Sequence, residues 1–459
     1  MSSPLTLGRL SNRDTEFKTQ NILVERNGLL AFGPFIPTPP LPPEILSEIF
    51  VHCLPEWPGP DLEEAPLLLC RVCRRFREVA VSTPRLWSSL WIDFDNYDHP
   101  CWNIPSLWLS RARSLPLSLW LHETWDDHAL LPTVIGLSEQ WKSLAIGGKF
   151  WSNLFESGSL DGKVPLLEEL SIDAFYGHPV ILHDAPKLRI LSLDMYHSQI
   201  QVPWHQLTTL RTRCVNIASF LEILHNSPNL FQASFDFEDD EPVVLPLSKC
   251  QHANIQRLFL RGAEYDERGL PMSILDYLKT PALNDLTVSL NWRKPVSVAV
   301  SPLLSFLSQP ALRLHTLAFA HITAPMGDLI ECLKLTPSLA HLKFRCPYPS
   351  DFDILFTRLT GCADFLPRLE GLLAVFTGDE TPPRLAPSVV VGMLCWRWAA
   401  VGIAQLKSFR LVHGPNISDP PLFLGLLKSE PDLQRLEGEG MLLYAGRAED
   451  DDILAFQDA

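Results

Sequence analysis

The sequence predicts an α/β protein in two parts: a small N-terminal helical unit over 38–92, then an irregular solenoid of alternating short parallel strands and helices over 93–445. Three observations carry this. Two amphipathic helical patterns and the start of a third stand between Leu41 and Trp91. Beyond them a pattern Pro-x-Leu-x-x-Leu-x-apolar returns along the chain, and a helical run precedes most of its copies. A single strand-loop-helix unit cannot bury both of its apolar sides alone, so neighbours must stack and share a core.

Residues 1–37 are mixed in composition and run into the prolines of GPFIPTPP, which favour an extended lead-in. The first helix opens at Pro42 and Pro43, where a proline loses no hydrogen bond, and Glu44 complements its N-terminus. Ile45, Leu46, Ile49 and Phe50 then form an apolar stripe. Pro55, Trp57, Pro58, Gly59 and Pro60 stop the helix and make a loop. A second helical period follows in Leu69, Val72, Cys73, Phe76, Val79 and Ala80, with Arg71, Arg74, Arg75 and Arg77 on the polar side. Ser82 or Thr83 is placed to cap a third turn that begins at Pro84 and turns Leu86, Trp87 and Leu90 inward.

The order Leu-Pro-x-Glu-Ile-Leu-x-x-Ile-Phe, Val-Cys-Arg-x-Phe-Arg-x-Val-Ala, Pro-x-Leu-Trp resembles the F-box domain, in the variety found in large fungal paralogue sets. The resemblance implies docking to a Skp-type adaptor and, through it, to a cullin-RING ubiquitin ligase. Carried over position by position, the residues expected at the adaptor are Leu41, Pro42, Ile45, Leu46, Ile49, Phe50, Val72 and Trp87. Some of them must also hold the helices together. The loop from Pro55 to Pro66 is longer and richer in proline than that of a minimal F-box.

After a helical IPSLWLSRARSLP and a strand-like run from Pro116 to Leu121, the repeat begins. Its clearest copies start at Pro165, Pro186, Pro228, Pro281 and Pro337; weaker ones at Trp141, Ile255, Leu314 and Leu406; degenerate ones at Leu207, Leu369 and Leu433. Intervals run from 19 to 37 residues. Helices are expected in IASFLEILHNS, SILDYLKT, LLSFLSQ, MGDLIECLKLT, VVVGMLCWRWAA and PLFLGLLKSE. The alternation resembles leucine-rich repeats of the kind that follow F-boxes in substrate receptors, without the asparagine ladder of the stricter type. That likeness implies an arc with a parallel sheet on its concave side. Ser171, Ser192, Thr287, Lys343 and Arg410 lie between inward leucines and are expected on that side. The competing fold is an unrelated α/β domain with several βα units. Seven tryptophans, Trp87, Trp91, Trp102, Trp108, Trp120, Trp125 and Trp141, are expected to weld the helical unit to the first repeats.

Bulk properties narrow the function. The 53 acidic and 38 basic residues of the 459 give a net charge of −15, with no basic stripe to grip nucleic acid. Ten cysteines without a regular framework, behind a start lacking an apolar core, are expected to be reduced thiols in the cytoplasm or nucleus. The apolar run from Val389 to Ala404 is interrupted by Arg397, so no membrane helix is expected. Chemistry-bearing motifs are weak. Cys70-x-x-Cys73 lies in a helical pattern, with Cys73 on its apolar face and no second pair to complete a zinc site. His122, Glu123, Trp125, Asp126, Asp127 and His128 read as an exposed turn, and Gly147-Gly148-Lys149 lacks the hydroxyl of a phosphate loop. Glu238–Glu241 and the acidic tail over 446–459 read as solvated segments.

The expectation is therefore a substrate receptor of an SCF-type ligase, with no catalytic site, cofactor or metal of its own and an unknown target protein on the repeats. The alternative is a repeat scaffold without a ligase, whose first helices only cap the array. An enzyme would instead need a deep polar pocket with shifted pKa values.

Overall fold

The computed structural model describes residues 41–93, 103–122, 131–147, 160–173, 179–237, 249–262, 270–290, 296–297, 299–346, 352–376, 386–413 and 430–447. Fourteen strands form one sheet: Ser89–Asp93 (β1), Leu117–His122 (β2), Trp141–Gly147 (β3), Glu169–Asp173 (β4), Ile190–Leu193 (β5), Thr209–Val215 (β6), Gln232–Phe237 (β7), Arg257–Arg261 (β8), Asp285–Ser289 (β9), Thr316–Ala320 (β10), His341–Cys346 (β11), Gly371–Phe376 (β12), Ser408–His413 (β13) and Leu442–Arg447 (β14). Each pairs in parallel with its neighbour in sequence, so strand order is chain order, as in a solenoid.

The repeat pattern explains the register. The second apolar position of each copy falls in one row across the sheet: Leu144, Leu170, Leu191, Leu210, Ala233, Leu258, Leu286, Leu317, Leu342, Leu372 and Phe409, preceded by Leu90 and Leu119. All thirteen are buried in the main core, packed under the helices. Burying a leucine side chain contributes about 1.5–3 kcal/mol, so a row of this kind dominates the array's stability.

The asparagine ladder has a substitute. The residue that precedes each strand donates its backbone N–H to the corresponding carbonyl of the repeat before it: Glu168 to Lys142, Arg189 to Glu168, Thr208 to Arg189, Phe231 to Thr208, Gln256 to Phe231, Asn284 to Gln256, His315 to Asn284, Ala340 to His315, Glu370 to Ala340 and Lys407 to Glu370, all at 2.7–2.9 Å. Main-chain groups thus close the corners without a dedicated side chain.

Most expected helices form: Asn103–Ala112, Ile217–Asn226, Ser301–Leu307, Met326–Lys334 and Pro387–Ala399. Two expectations are corrected and one helix is added. The copy at Leu433 lies inside the helix Pro431–Gly438, which starts with a proline at its first position; Gly440, at φ +105°, reverses the chain and the strand follows as β14. SILDYLKT gives a 3₁₀ turn, Ile274–Tyr277, and then a two-residue strand. FDILFTRL, unassigned from sequence, is the helix Phe352–Leu359. PLFLGLLKSE, the lead-in, both acidic runs, Glu123–His128 and Gly148–Lys149 lie outside the described residues.

Arg397, which interrupts the apolar run, is fully buried and donates to the carbonyls of Leu359 (3.1 Å), Leu366 (2.9 Å) and Phe365. It satisfies main-chain acceptors at the end of the neighbouring helix and in the turn after it. Burial pulls its pKa down to about 10. Among the described residues no helix is long and apolar enough to cross a membrane.

The N-terminal unit comprises Pro43–His52 (α1), Leu69–Val72 (α2) and Arg74–Ser82 (α3), then a 3₁₀ turn, Pro84–Trp87, that leads directly into β1. The expected second helix is broken at Cys73, which is extended (φ −159°, ψ 169°). Its Sγ accepts the Phe76 N–H at 3.4 Å and caps α3, so Cys73 is exposed and not on an apolar face. Neither Ser82 nor Thr83 caps the next turn; both hydroxyls donate back to the Val79 carbonyl, at 3.0 and 2.7 Å. Phe50 meets Phe76 at 4.9 Å between ring centroids and closes the unit's interior.

Of the seven tryptophans, Trp87 and Trp108 join this unit to the array, and Trp102 and Trp125 lie outside the described residues. Trp87 and Trp108 pack edge to face at 5.0 Å, Arg111 lies over Trp87, and the Trp87 and Trp108 indoles donate to the carbonyls of Ala80 and Ser89, each at 2.9 Å. The proline-rich loop docks on the sheet edge: the Trp91 N–H donates to the Pro58 carbonyl at 2.8 Å. A Cβ on Gly59 would stand 3.0 Å from the Trp91 carbonyl oxygen, which accounts for glycine there. One continuous core runs from Leu46 to Met441.

Candidate functional site

Two surfaces have the character of binding sites, an apolar ridge on the helical unit and the face of the sheet opposite the described helices. On the ridge the structure divides the eight expected adaptor residues. Leu41, Ile45, Ile49 and Val72 are 49, 48, 43 and 58% exposed, and Pro42 is exposed beside them. Leu46, Phe50 and Trp87 are core residues, which gives them the part of the expectation that some of the eight hold the helices together. Successive helical residues are about 100° apart, so the α1 stripe consists of two columns. The column of Leu46 and Phe50 faces Phe76 and the core, while that of Ile45 and Ile49 faces outward.

Arginines pin the chain around this ridge. Arg71 donates to the Leu62 carbonyl (3.0 Å) and pairs with Glu63 (2.7 Å); Arg75 donates to the Leu41 carbonyl; Arg77 donates to the Cys70 carbonyl (2.7 Å); Arg85 pairs with Glu48 (2.6 Å). The loop adds Trp57 and Leu62, and with Leu68 it extends the exposed apolar surface, a contribution the eight expected positions did not contain. Its signal was the unusual length of the loop. A cluster of exposed apolar side chains set in polar surroundings marks an interaction surface.

On the sheet, Ser171, Ser192, Thr287, Lys343 and Arg410 fall in one row with Trp91, Trp120, Ala145, Arg211, Ser234, Phe259, Ala318, Leu373 and Tyr444, opposite the leucine row. The face is not uniformly open. Thr287 is buried, and Ala318, Ala320, Leu373, Val375 and Val412, none more than 8% exposed, form a second apolar cluster with Tyr444. Arg410 lies 4.5 Å over the Tyr444 ring. At the other end Trp91 stacks on Trp120 at 4.8 Å, and Trp120 on His122. A Cβ at Gly147 would come within 2.4 Å of the His122 ring, so His122 lies flat over that glycine.

Between these ends, over β4 to β8, lies a polar cavity of about 490 Å³. Its floor holds Ser192, Arg211 and Ser234, and its rim Asp173, Asp194, Arg213, Asp236 and Arg261. Arg213 pairs with Asp194 at 3.2 Å and Arg261 with Asp236 at 3.1 Å. Partial burial, and then the neighbouring Asp194 carboxylate, raise the pKa of Asp173. Among the described residues the cavity's lining holds serines but no histidine or cysteine beside them. Among the described residues no three His, Cys, Asp or Glu side chains are grouped to hold a metal. Cys70 is half-buried with its pKa raised by burial, and Cys73 acts as the helix cap described above.

The chain matches no protein-family model and no curated protein.

Proposed function

We propose that the chain is a receptor subunit of an SCF-type ubiquitin ligase, in which the helical unit docks a Skp-type adaptor and the sheet holds a target protein. The observation that carries this reading is the ridge itself: Leu41, Ile45, Ile49 and Val72 stay exposed on helices whose other sides are locked in the core. Leaving them in water costs about 25 cal/mol per Å² of apolar surface, a cost that a partner's apolar groove would remove. The mechanism is proximity. A receptor that fixes a target near charged ubiquitin raises the transfer rate without supplying a catalytic side chain. The loop-to-strand bond of Trp91 and Pro58 and the Trp87 and Trp108 packing support it by fixing the ridge relative to the sheet.

The test is co-purification of the adaptor with the full chain carrying alanine at Leu41, Pro42 and Ile45. Loss of adaptor at an unchanged melting temperature is expected; undiminished adaptor would refute docking. The same junction favours one rival, a scaffold without a ligase whose helices cap the first strand. That reading is favoured if wild-type chain purified from its own cells carries no adaptor and removal of residues 38–92 unfolds the array.

A further inference from the structure

The sheet face opposite the leucine row changes character over β10 to β14. These five strands contain no aspartate or glutamate, while Lys343, Arg345 and Arg410 stand on that face in a chain of net charge −15. Arg410 lies over Tyr444, but Arg345 is left without a counter-charge. Its Nε is buried with no hydrogen-bond partner, and among the described residues no carboxylate pairs with its guanidinium. Burial lowers its pKa, and no acidic group opposes the shift. Its register neighbours Ala320 and Val375 are both buried and apolar. Arg397 shows how the fold treats a buried guanidinium elsewhere, by giving it three carbonyls. A guanidinium donates and accepts nothing, so Arg345, which is partly open on this face, lacks an anion. The apolar cluster around it is likewise incomplete. Ala318, Ala320, Leu373, Val375 and Val412 are shielded from water although the cluster contains no residue of a described helix. Apolar side chains on the second face of a parallel sheet call for a cover.

The chain beyond β14 has the matching chemistry. Glu449, Asp450, Asp451 and Asp452 are followed by Ile453, Leu454 and Phe456. Among the segments that leave β11 to β14 it alone joins four consecutive acids to an apolar run; 347–351 has one acid, 377–385 two and 414–429 one. Its reach also fits. Arg345, Val375, Val412 and Gly446 share one row across β11 to β14, so Gly446 and Arg345 stand three strand spacings, or about 14 Å, apart. About four or five extended residues span that distance, which sets Asp450 and Asp451 at the guanidinium.

We propose that residues 449–456 lie across this face of their own chain, with Asp450 and Asp451 on Arg345 and with Ile453, Leu454 and Phe456 on the cluster of Ala318, Ala320 and Val375. A tether this short holds the segment at an effective concentration of about a millimolar, so even weak contacts keep it seated. The proposal goes beyond the receptor reading and needs no adaptor; on that reading a target would have to displace the segment from this end of the sheet.

The experiment measures fluorescence anisotropy of a labelled peptide spanning residues 448–459 with purified full chains. The wild-type chain should bind it weakly, since its own segment holds the site. A chain with Asp450→Asn, Asp451→Asn and Phe456→Ala should bind it at least about tenfold more tightly. Adding Arg345→Gln should remove that gain. Should this last variant not fold, the peptide itself is altered instead: with Asp450→Asn and Asp451→Asn it should bind the substituted chain about tenfold more weakly, the scale of a lost charged hydrogen bond. Equal binding by the wild-type and substituted chains, no binding by either, or indifference to Arg345 and to the peptide's charge would overturn the proposal. In sedimentation the wild-type chain should show no self-association that depends on the segment. An oligomer dissolved by the substitutions at 450, 451 and 456 would place the segment on a second copy and would likewise overturn it.

Discussion

The two faces of the sheet obey different rules, although their residues alternate along the same strands. The face under the helices carries a row of leucines broken only by an alanine and a phenylalanine, whereas the opposite row passes through tryptophan, serine, arginine, threonine, lysine and tyrosine. The first row is set by packing, in which only volume and apolarity count. The second is set by whatever it touches. The helical unit repeats the contrast on one helix, with Phe50 inside and Ile49 outside. A row or column that a sequence repeats is therefore evidence of core, and one that varies is where partners have to be sought.

The contrast can be broken by mutation. Phe50→Ala should cost about 3–5 kcal/mol of stability, as for large aromatic truncations, while Ile49→Ala should cost well under half of that and spare the fold. Thermal and urea unfolding of both would settle it; equal losses would mean that Ile49 is core. In the sheet, Leu258→Ala should cost about 2–5 kcal/mol and Ser192→Ala at most about 0.5 kcal/mol.

A subtler test concerns His321, buried at a left-handed φ of +59° after β10. Burial, then the charge of Arg345, lower its pKa from 6.5 to about 4. The folded state keeps it neutral while the unfolded chain takes up a proton, so its stabilising contribution is complete above about pH 6.5 and is lost as pH falls toward 4. The loss is on the order of 3 kcal/mol for a shift of that size. Asparagine tolerates the same backbone, so His321→Asn should flatten this part of the stability profile. An unaltered profile between pH 7 and 4 would show that other groups carry it. The smallest effect is expected for Arg74→Ala, which removes an exposed pair with Glu78 at 3.0 Å worth at most about 0.5 kcal/mol.

Much of this fold was legible because its period is long and its inward residues are apolar. The motif positions placed Leu144 to Phe409 in register without any knowledge of pairing. Leu433 misled because helix Pro431–Gly438 presents leucines at a spacing that a strand motif also accepts. The break at Cys73 was hidden because a thiol can either cap a helix or fill a core. The candidate sites were less legible still. A stripe at i, i+1, i+4 and i+5 spans two columns, and the pattern does not say which one a neighbour covers. The cavity needed the register of five strands before residues from Asp173 to Arg261 could be seen to share a space.

The corner bonds that link repeat to repeat use only amide and carbonyl atoms. From Glu168 to Lys407 the donors include acidic, basic, aromatic, amide and small side chains. At those places the array therefore asks for nothing except a residue that is not proline. A chain built so can drift far in spelling while its joints keep their geometry, and a single proline at Gln256 would do more harm there than almost any other letter.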